Sequence, residues 1–304
     1  MTASKGLSAG AFVALVAICF VWAGNAVLLR YAVGPSGLPP VWLAAGRFLV
    51  AGLLLSPLLA RRPERLGMVL LSGTLIGAGH FSLLMLGYAR LDSTMSALIL
   101  QLGTPATALL SMAIGVERWS ARRLALILLA TGAVLAAIGT GTGAADPLGA
   151  GLIVASALSL SLGSVLIKRT GAVSAMRMQA WTSAVSALVL LVLAPILDRS
   201  GPEILMEQPL LAALAIFAPA IIVTIGAHTT YYALLKANDP SGVAAATLMF
   251  PLFTILLGTT LLDERVGKTF WLGGGIALAC VLLLIAPHRR FEAGSPLSRG
   301  ESRP

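Results

Sequence analysis

The chain has 304 residues, 58% of them hydrophobic and 11% charged, with a formal charge of +9 and a mean hydropathy of +0.93. A soluble domain carries about a quarter charged residues, so this chain lacks the polar surface to cover a water-soluble globule. The basic excess does not mark a nucleic-acid partner either. Lys and Arg sit in short clusters between apolar runs rather than in one patch, the pattern by which membrane proteins set their orientation.

Ten apolar stretches follow in chain order, each near the ~20 residues that span a bilayer. The first covers 9–30 and holds Cys19, Trp22 and Asn25. Lys5 and the run behind it outline a signal peptide, but the run reaches Leu29 without a convincing cleavage site and reads as a retained helix. Gly34-Pro35-Ser36-Gly37 separates it from the second stretch, 41–60, which carries Arg47. Arg61-Arg62-Pro63-Glu64-Arg65 leads to the third, 66–89, where Gly73, Gly77, His80 and Leu84 share one face at helical spacing. The fourth, 94–115, holds Gln101 and Pro105, and the fifth covers 121–140. Gly141-Thr142-Gly143 with Asp146-Pro147 marks the midpoint. The sixth and seventh cover 148–167 and 178–197, the latter opened by Gln179 and Trp181. The eighth, 209–232, holds Pro219, Thr224 and His228; the ninth, 243–262, holds Pro251. The tenth, 269–287, carries Gly273-Gly274-Gly275 with Ala277 and Ala279, a small-residue packing face. The tail over 288–304 is polar and reads as disordered. Cys19 and Cys280 fall inside apolar runs as small buried hydrophobes.

Polar landmarks recur through this pattern. Arg90 and Lys236 lie 146 residues apart, as do Pro105 and Pro251, and Glu117-Arg118 recurs at 147 as Glu264-Arg265. The midpoint loop leaves five stretches on each side. With the N-terminus in the cytoplasm, 15 Lys and Arg fall in inside segments, 5 fall outside, and Arg47 lies within a helix. That bias puts both termini in the cytoplasm. Five is odd, so the second copy enters the bilayer upside down. The expected fold is an all-α integral membrane protein of ten transmembrane helices in two inverted five-helix repeats, 1–144 and 145–287, followed by the cytoplasmic tail. Inverted repeats of this kind build secondary transporters.

The repeat also predicts bends. Proline cannot donate a backbone hydrogen bond and frees the carbonyl four residues earlier, here those of Gln101 and Thr247. The same shift of 146 pairs Gly73 with Pro219. Gly73, Pro105, Pro219 and Pro251 are the expected hinges.

Trp22-Ala23-Gly24-Asn25, Arg47-Phe48-Leu49, Tyr88-Ala89-Arg90-Leu91 before Pro105, and Tyr232-Ala233-Leu234-Leu235-Lys236 before Pro251 complete a recognisable arrangement. Over about residues 8 to 287 the chain resembles the drug/metabolite transporter superfamily, specifically its ten-helix EamA-type exporters; the YddG-type amino-acid exporters are the subgroup it suggests. The resemblance implies a central cavity between the halves, with helices five and ten mainly in packing roles. It also implies outward movement of amino acids, other metabolites or organic cations. The second copy departs from the first: Leu160-Ser161-Leu162-Gly163 stands where Trp22 and Asn25 have their counterparts, so the cavity should be asymmetric.

Polar residues deep in a membrane helix are costly and mark functional candidates. His80 and Gln101 lie near helix centres. Trp22 and Asn25 read as a cavity wall with a hydrogen-bonding edge. Thr224 and His228 lie one turn apart, and His228 fits a wet structural role equally well. Arg47 has two readings: snorkelling to the surface, or pairing with a carboxylate through its planar fork. Gln179 and Trp181 form a weaker pair. No phosphate-cradling loop, zinc-type His/Cys set or Ser–His–Asp arrangement occurs, so no cofactor, metal or catalytic residue is expected.

The sequence therefore reads as a secondary transporter in a bacterial inner membrane, with small metabolites, amino acids above all, as partners. It is expected to be a monomer working by alternating access. Every Asp and Glu falls in a loop, tail or helix end, so obligatory proton coupling is not expected. The same absence argues against a proton-coupled drug or organic-cation exporter and against an intramembrane lipid-modifying enzyme.

Overall fold

The computed structural model describes residues 8–116, 146–199, 201–238, 249–265 and 267–285, together with 121, 124–126, 128, 129, 132, 133, 243, 246 and 247. Among them every regular element is helical. The helices are α1 (Ala9–Val33), α2 (Pro40–Leu54), α3 (Leu66–Tyr88), α4 (Ser93–Ala113), α5 (Pro147–Leu166), α6 (Ala175–Leu197), α7 (Pro209–Ala237), α8 (Met249–Leu261) and α9 (Lys268–Ile285). Six of these, α1 and α3 to α7, are long and apolar enough to cross a membrane. α2 and α8 are shorter and apolar. Most of the expected fifth stretch, the tail, and the landmarks Glu117 and Arg118 lie outside the described residues.

Helix starts follow local chemistry. The Ser8 hydroxyl accepts the Ala11 N–H at 3.2 Å to cap α1, and the Asp146 carboxylate accepts the Leu148 N–H at 3.0 Å ahead of Pro147 in α5. A hydrogen bond from Arg90, at 2.8 Å, holds the Asp146 carboxyl below the usual carboxylate range. The contribution of this contact is therefore present at neutral pH and is lost as acidification protonates Asp146. α2 begins at Pro39-Pro40 without a cap of its own. Its Val41 N–H donates instead to Asp198 at the end of α6, at 3.1 Å. That bond pins the antiparallel α2–α6 pair, which packs along its length.

Small residues let the helices approach, as membrane packing requires. The Ser72 hydroxyl of α3 donates to the Gly163 carbonyl of α5 at 2.7 Å. A Cβ added at Gly163 would stand 2.5 Å from Ile76 Cγ1 and 3.1 Å from the Ser72 carbonyl oxygen. Gly73 and Gly77 lie against Thr182 and Ser186 of α6 in the same way. Overpacking of this kind costs about 1–3 kcal/mol. Gly163→Val should lower the thermal unfolding temperature in detergent, whereas Gly24→Val, whose Cβ meets nothing within 4 Å, should leave it unchanged. Equal behaviour of the two variants would refute this packing account.

The helices are regular except where the sequence interrupts them. α3 carries a π segment at Leu75–Gly79, beginning two residues after Gly73, and α7 carries one at Pro219–Ala227. The Ser159 hydroxyl satisfies the Leu75 carbonyl at 2.7 Å. α4 is interrupted at Gln101-Leu102. Pro105 has no N–H to offer, and the Gln101 carbonyl instead accepts from Thr104 N at 3.0 Å. The Thr247 carbonyl accepts from Phe250 N, also at 3.0 Å, just before Pro251.

Packing partners are α1 with α8 and α5 with α4; α2 with α7 and α6 with α3; α1 with α7 and α5 with α3. At one end of the bundle, Arg30 donates to the Tyr88 carbonyl at 2.8 Å and pairs with Asp92 at 3.4 Å, and Glu264 reaches the start of α4. At the other end cations close on backbone carbonyls: Lys168 on Lys236, Lys236 on Gly171, and Arg169 on Ile114. Cations are favourable at helix C-termini.

Candidate functional site: a central cavity

A cavity of about 810 Å³, counting its open mouth, lies among α1, α3, α4, α5, α7 and α8. Trp22 and Asn25 enter it from α1, and His80, Phe81, Leu84 and Tyr88 from α3. Gln101, Thr104 and Thr107 enter from α4, Ser161 and Ser164 from α5, Val223, His228 and Tyr231 from α7, and Thr247 and Phe250 complete the wall. Gln101 and Thr247 each stand four residues before a proline, and both line the cavity.

One side of the cavity is an aromatic ribbon. Trp22 lies 5.2 Å from Tyr231 and 5.3 Å from His228 between ring centroids. Phe81 meets His228 at 5.7 Å and His80 at 4.7 Å, edge to face. The ribbon is punctuated by polar edges with no hydrogen-bond partner among the described residues: Trp22 Nε1, Asn25 Oδ1 and Gln101 Oε1. Buried polar atoms are normally satisfied, so each orphan beside a cavity calls for an explanation, of which a bound ligand is one.

His80 is held by α5. The Ser156 hydroxyl donates its one proton to the His80 carbonyl at 2.9 Å. The 2.7 Å contact between Ser156 Oγ and His80 Nδ1 is then an N–H donated by the ring, with the Ser156 carbonyl a second acceptor at 3.2 Å. This network places a proton on Nδ1. In the neutral ring Nε2, the opposite edge, is then the acceptor.

The structure thus brings Trp22, Asn25, His80, Gln101 and His228 to one cavity. Thr224 and Arg47 lie behind its wall, bonded to each other at 2.6 Å. Gln179 is buried and donates to Ser183 within α6 at 2.9 Å. Trp181 packs with the apolar cluster around Tyr231 and Tyr232, and neither Gln179 nor Trp181 reaches the cavity. Phe81, Tyr88 and Tyr231 are wall residues that the sequence did not single out. Tyr231 follows His228 by one turn, the one signal that could have found it. Ser156, Ser161 and Ser164 recur at near-helical spacing in an otherwise apolar run, a signal that passed unused. Among the described residues no Asp or Glu lines the cavity.

An all-helical bundle of apolar spans around a cavity walled by aromatic and polar side chains defines a multi-pass membrane transporter. The chain belongs to the EamA-like transporter family, whose profile matches it twice, over residues 9–139 and 147–286. It is a transporter and not an enzyme. It is 26% identical over 289 residues to an uncharacterised inner membrane transporter of Escherichia coli K12, YedA, covering 93% of this chain and 92% of the relative. It is 27% identical over 268 residues to a probable amino-acid metabolite efflux pump of the same strain, covering 84% and 88%. In fold it is similar to a crystal structure at 17% identity, with a TM-score of 0.59 over 90% of this chain and 96% of the other.

Proposed function

We propose that this transporter exports small amphipathic metabolites, amino acids above all, from the cytoplasm across a bacterial inner membrane. The observation that carries the reading is the set of orphaned polar edges on an otherwise aromatic and aliphatic cavity. A molecule with an apolar body and a compact polar head matches that wall. The relative described as an amino-acid metabolite efflux pump supports the same reading, and YedA supports the inner-membrane location.

The mechanism proposed is alternating access by two inverted five-helix halves, 1–144 and 145–287, in a ten-helix monomer. Three observations support it. The family profile matches once in each half. Helix contacts come in exchanged pairs: α1–α8 mirrors α5–α4, and α2–α7 mirrors α6–α3. The redirected carbonyls at Gln101 and Thr247 occupy equivalent positions. Gly73, Pro105, Pro219 and Pro251 stand beside or within the irregular turns and are the hinges in this reading. Coupling to protons is not obligatory, because no carboxylate lines the described cavity to carry one.

Both termini are cytoplasmic in this orientation. In a background without other accessible thiols, a single cysteine at Ser36 should react with an impermeant thiol reagent added to intact cells, and one at Arg62 should not; the reverse pattern would invert the topology. His80→Ala and Gln101→Ala should each slow transport severalfold, about the ~1 kcal/mol of one hydrogen bond, with folded yield retained. Normal transport by both variants would remove the cavity from the pathway. The function itself is tested by loading cells that lack other exporters with a phenylalanine-containing dipeptide. Expression should speed release of phenylalanine into the medium. Release equal to that of cells without the protein, for phenylalanine and every other amino acid delivered this way, would overturn the reading.

A further inference from the structure

Arg47 is almost wholly buried, with 2% of its surface exposed. Its structural uses are visible. Nε donates to Thr224 Oγ1 at 2.6 Å, tying α2 to α7, and the guanidinium carbon sits 4.1 Å over the centroid of Phe81. The same carbon lies 5.6 Å from the centroid of Phe48. Of five N–H donors these uses occupy one. Nη1 and Nη2 have no hydrogen-bond partner among the described residues. A residue needed only to fill this volume or to hold Thr224 would not bring a second nitrogen pair into an apolar interior, where an unpaired cation is strongly unfavourable.

The guanidinium stands directly behind the cavity wall. Phe81 lines the cavity and lies under Arg47; Val223 and His228, on either side of Thr224 in α7, line it too. His80 abuts the same Phe81 ring at 4.7 Å. Phe81 is therefore shared by the unpaired guanidinium and by His80. A guanidinium with both Nη free matches a carboxylate through two parallel hydrogen bonds.

We propose that Arg47 is a recessed carboxylate site of the transport cavity. The carboxylate of an amino acid or another small monocarboxylate binds Nη1 and Nη2 once the Phe81 ring moves aside. This rests on the reading of the cavity as the transport site and names the chemical class it selects: acids are taken, and their amides and amines are discriminated against.

The test is equilibrium binding to the purified full chain in detergent with four matched probes: L-phenylalanine, 3-phenylpropionate, L-phenylalaninamide and 2-phenylethylamine. The two acids should bind about tenfold or more tightly than the amide and the amine, the scale of a charge-assisted pair. Arg47→Gln should abolish that preference. The ranking on the wild-type chain decides the matter even where the variant does not fold. Equal binding of acids and amide, a preserved preference in Arg47→Gln, or binding of none of the four would overturn the proposal. Tight Arg47-dependent binding of 3-phenylpropionate without transport of any amino acid would sink the amino-acid reading and leave the carboxylate site standing.

Discussion

Glu264→Ala is expected to be the most damaging single substitution outside the bundle interior. Glu264 lies in the connection from α8 to α9, yet its carboxylate caps α4. Oε1 accepts from Ser93 N at 2.8 Å and Ser93 Oγ at 2.7 Å. Oε2 accepts from Thr94 N at 2.9 Å and from the Thr94 hydroxyl. Asp92, at the cap position itself, makes no side-chain cap. The first turn of α4 thus depends on a side chain 171 residues away for its orphan N–H groups. A carboxylate also complements the positive end of the helix dipole. Charge-assisted bonds of this kind sum to about 2–4 kcal/mol. Thermal unfolding in detergent should show the order Glu264→Ala worst, Glu264→Gln intermediate, and Ser93→Ala with Thr94→Val mildest, because the last pair keeps both backbone bonds. An unchanged unfolding temperature for Glu264→Ala would show that the cap contributes nothing.

Pro105→Ala and Pro251→Ala should behave in the opposite way. Alanine restores a donor, lets the Gln101 or Thr247 carbonyl take an ordinary helical bond, and straightens the helix. Stability should hold or rise, since a helix-interior proline costs ~3 kcal/mol relative to alanine. Transport per folded molecule should fall about tenfold, the effect of ~1.4 kcal/mol on the barrier between states. The double variant should be the slowest. Wild-type rates in a double variant of wild-type stability would mean that the irregular turns are packing features and not hinges.

The helical spans were legible because nearly all charged residues in this chain are punctuation. Asp146-Pro147 and Asp198-Arg199 delimit helices that the structure places within a few residues of the expected bounds, whereas α2 ends at Leu54, six residues short of the expected 41–60, and a 3-10 turn over Ser56–Ala60 leads to Arg61. The π segments were not legible. Gly73 and Pro219 mark weak points, but the extra residue per turn depends on partners such as Ser159 across the α3–α5 contact. In the cavity, residues that contrast with their surroundings stood out: Trp22, Asn25, His80, Gln101 and His228. Phe81 and Tyr231 did not, because an aromatic residue in an apolar run shows nothing of its rotation about the helix axis. Gln179 and Trp181 were conspicuous for the same contrast, but α6 turns Gln179 onto its own Ser183. Arg47 kept two readings at the sequence level, and only the orphaned Nη atoms favour the carboxylate one.

The central claim is that this cavity carries amino acids across the membrane without an obligatory proton. Purified protein in sealed liposomes, preloaded with unlabelled phenylalanine and challenged with labelled phenylalanine at equal pH on both sides, tests it most directly. The account predicts exchange of label across the membrane, slowed by His80→Ala and Gln101→Ala, with no change in the signal of a pH dye trapped inside. Label that moves only when a pH gradient is imposed, with proton flux and with both lost in His80→Ala, would contradict the account and make His80 the coupling residue.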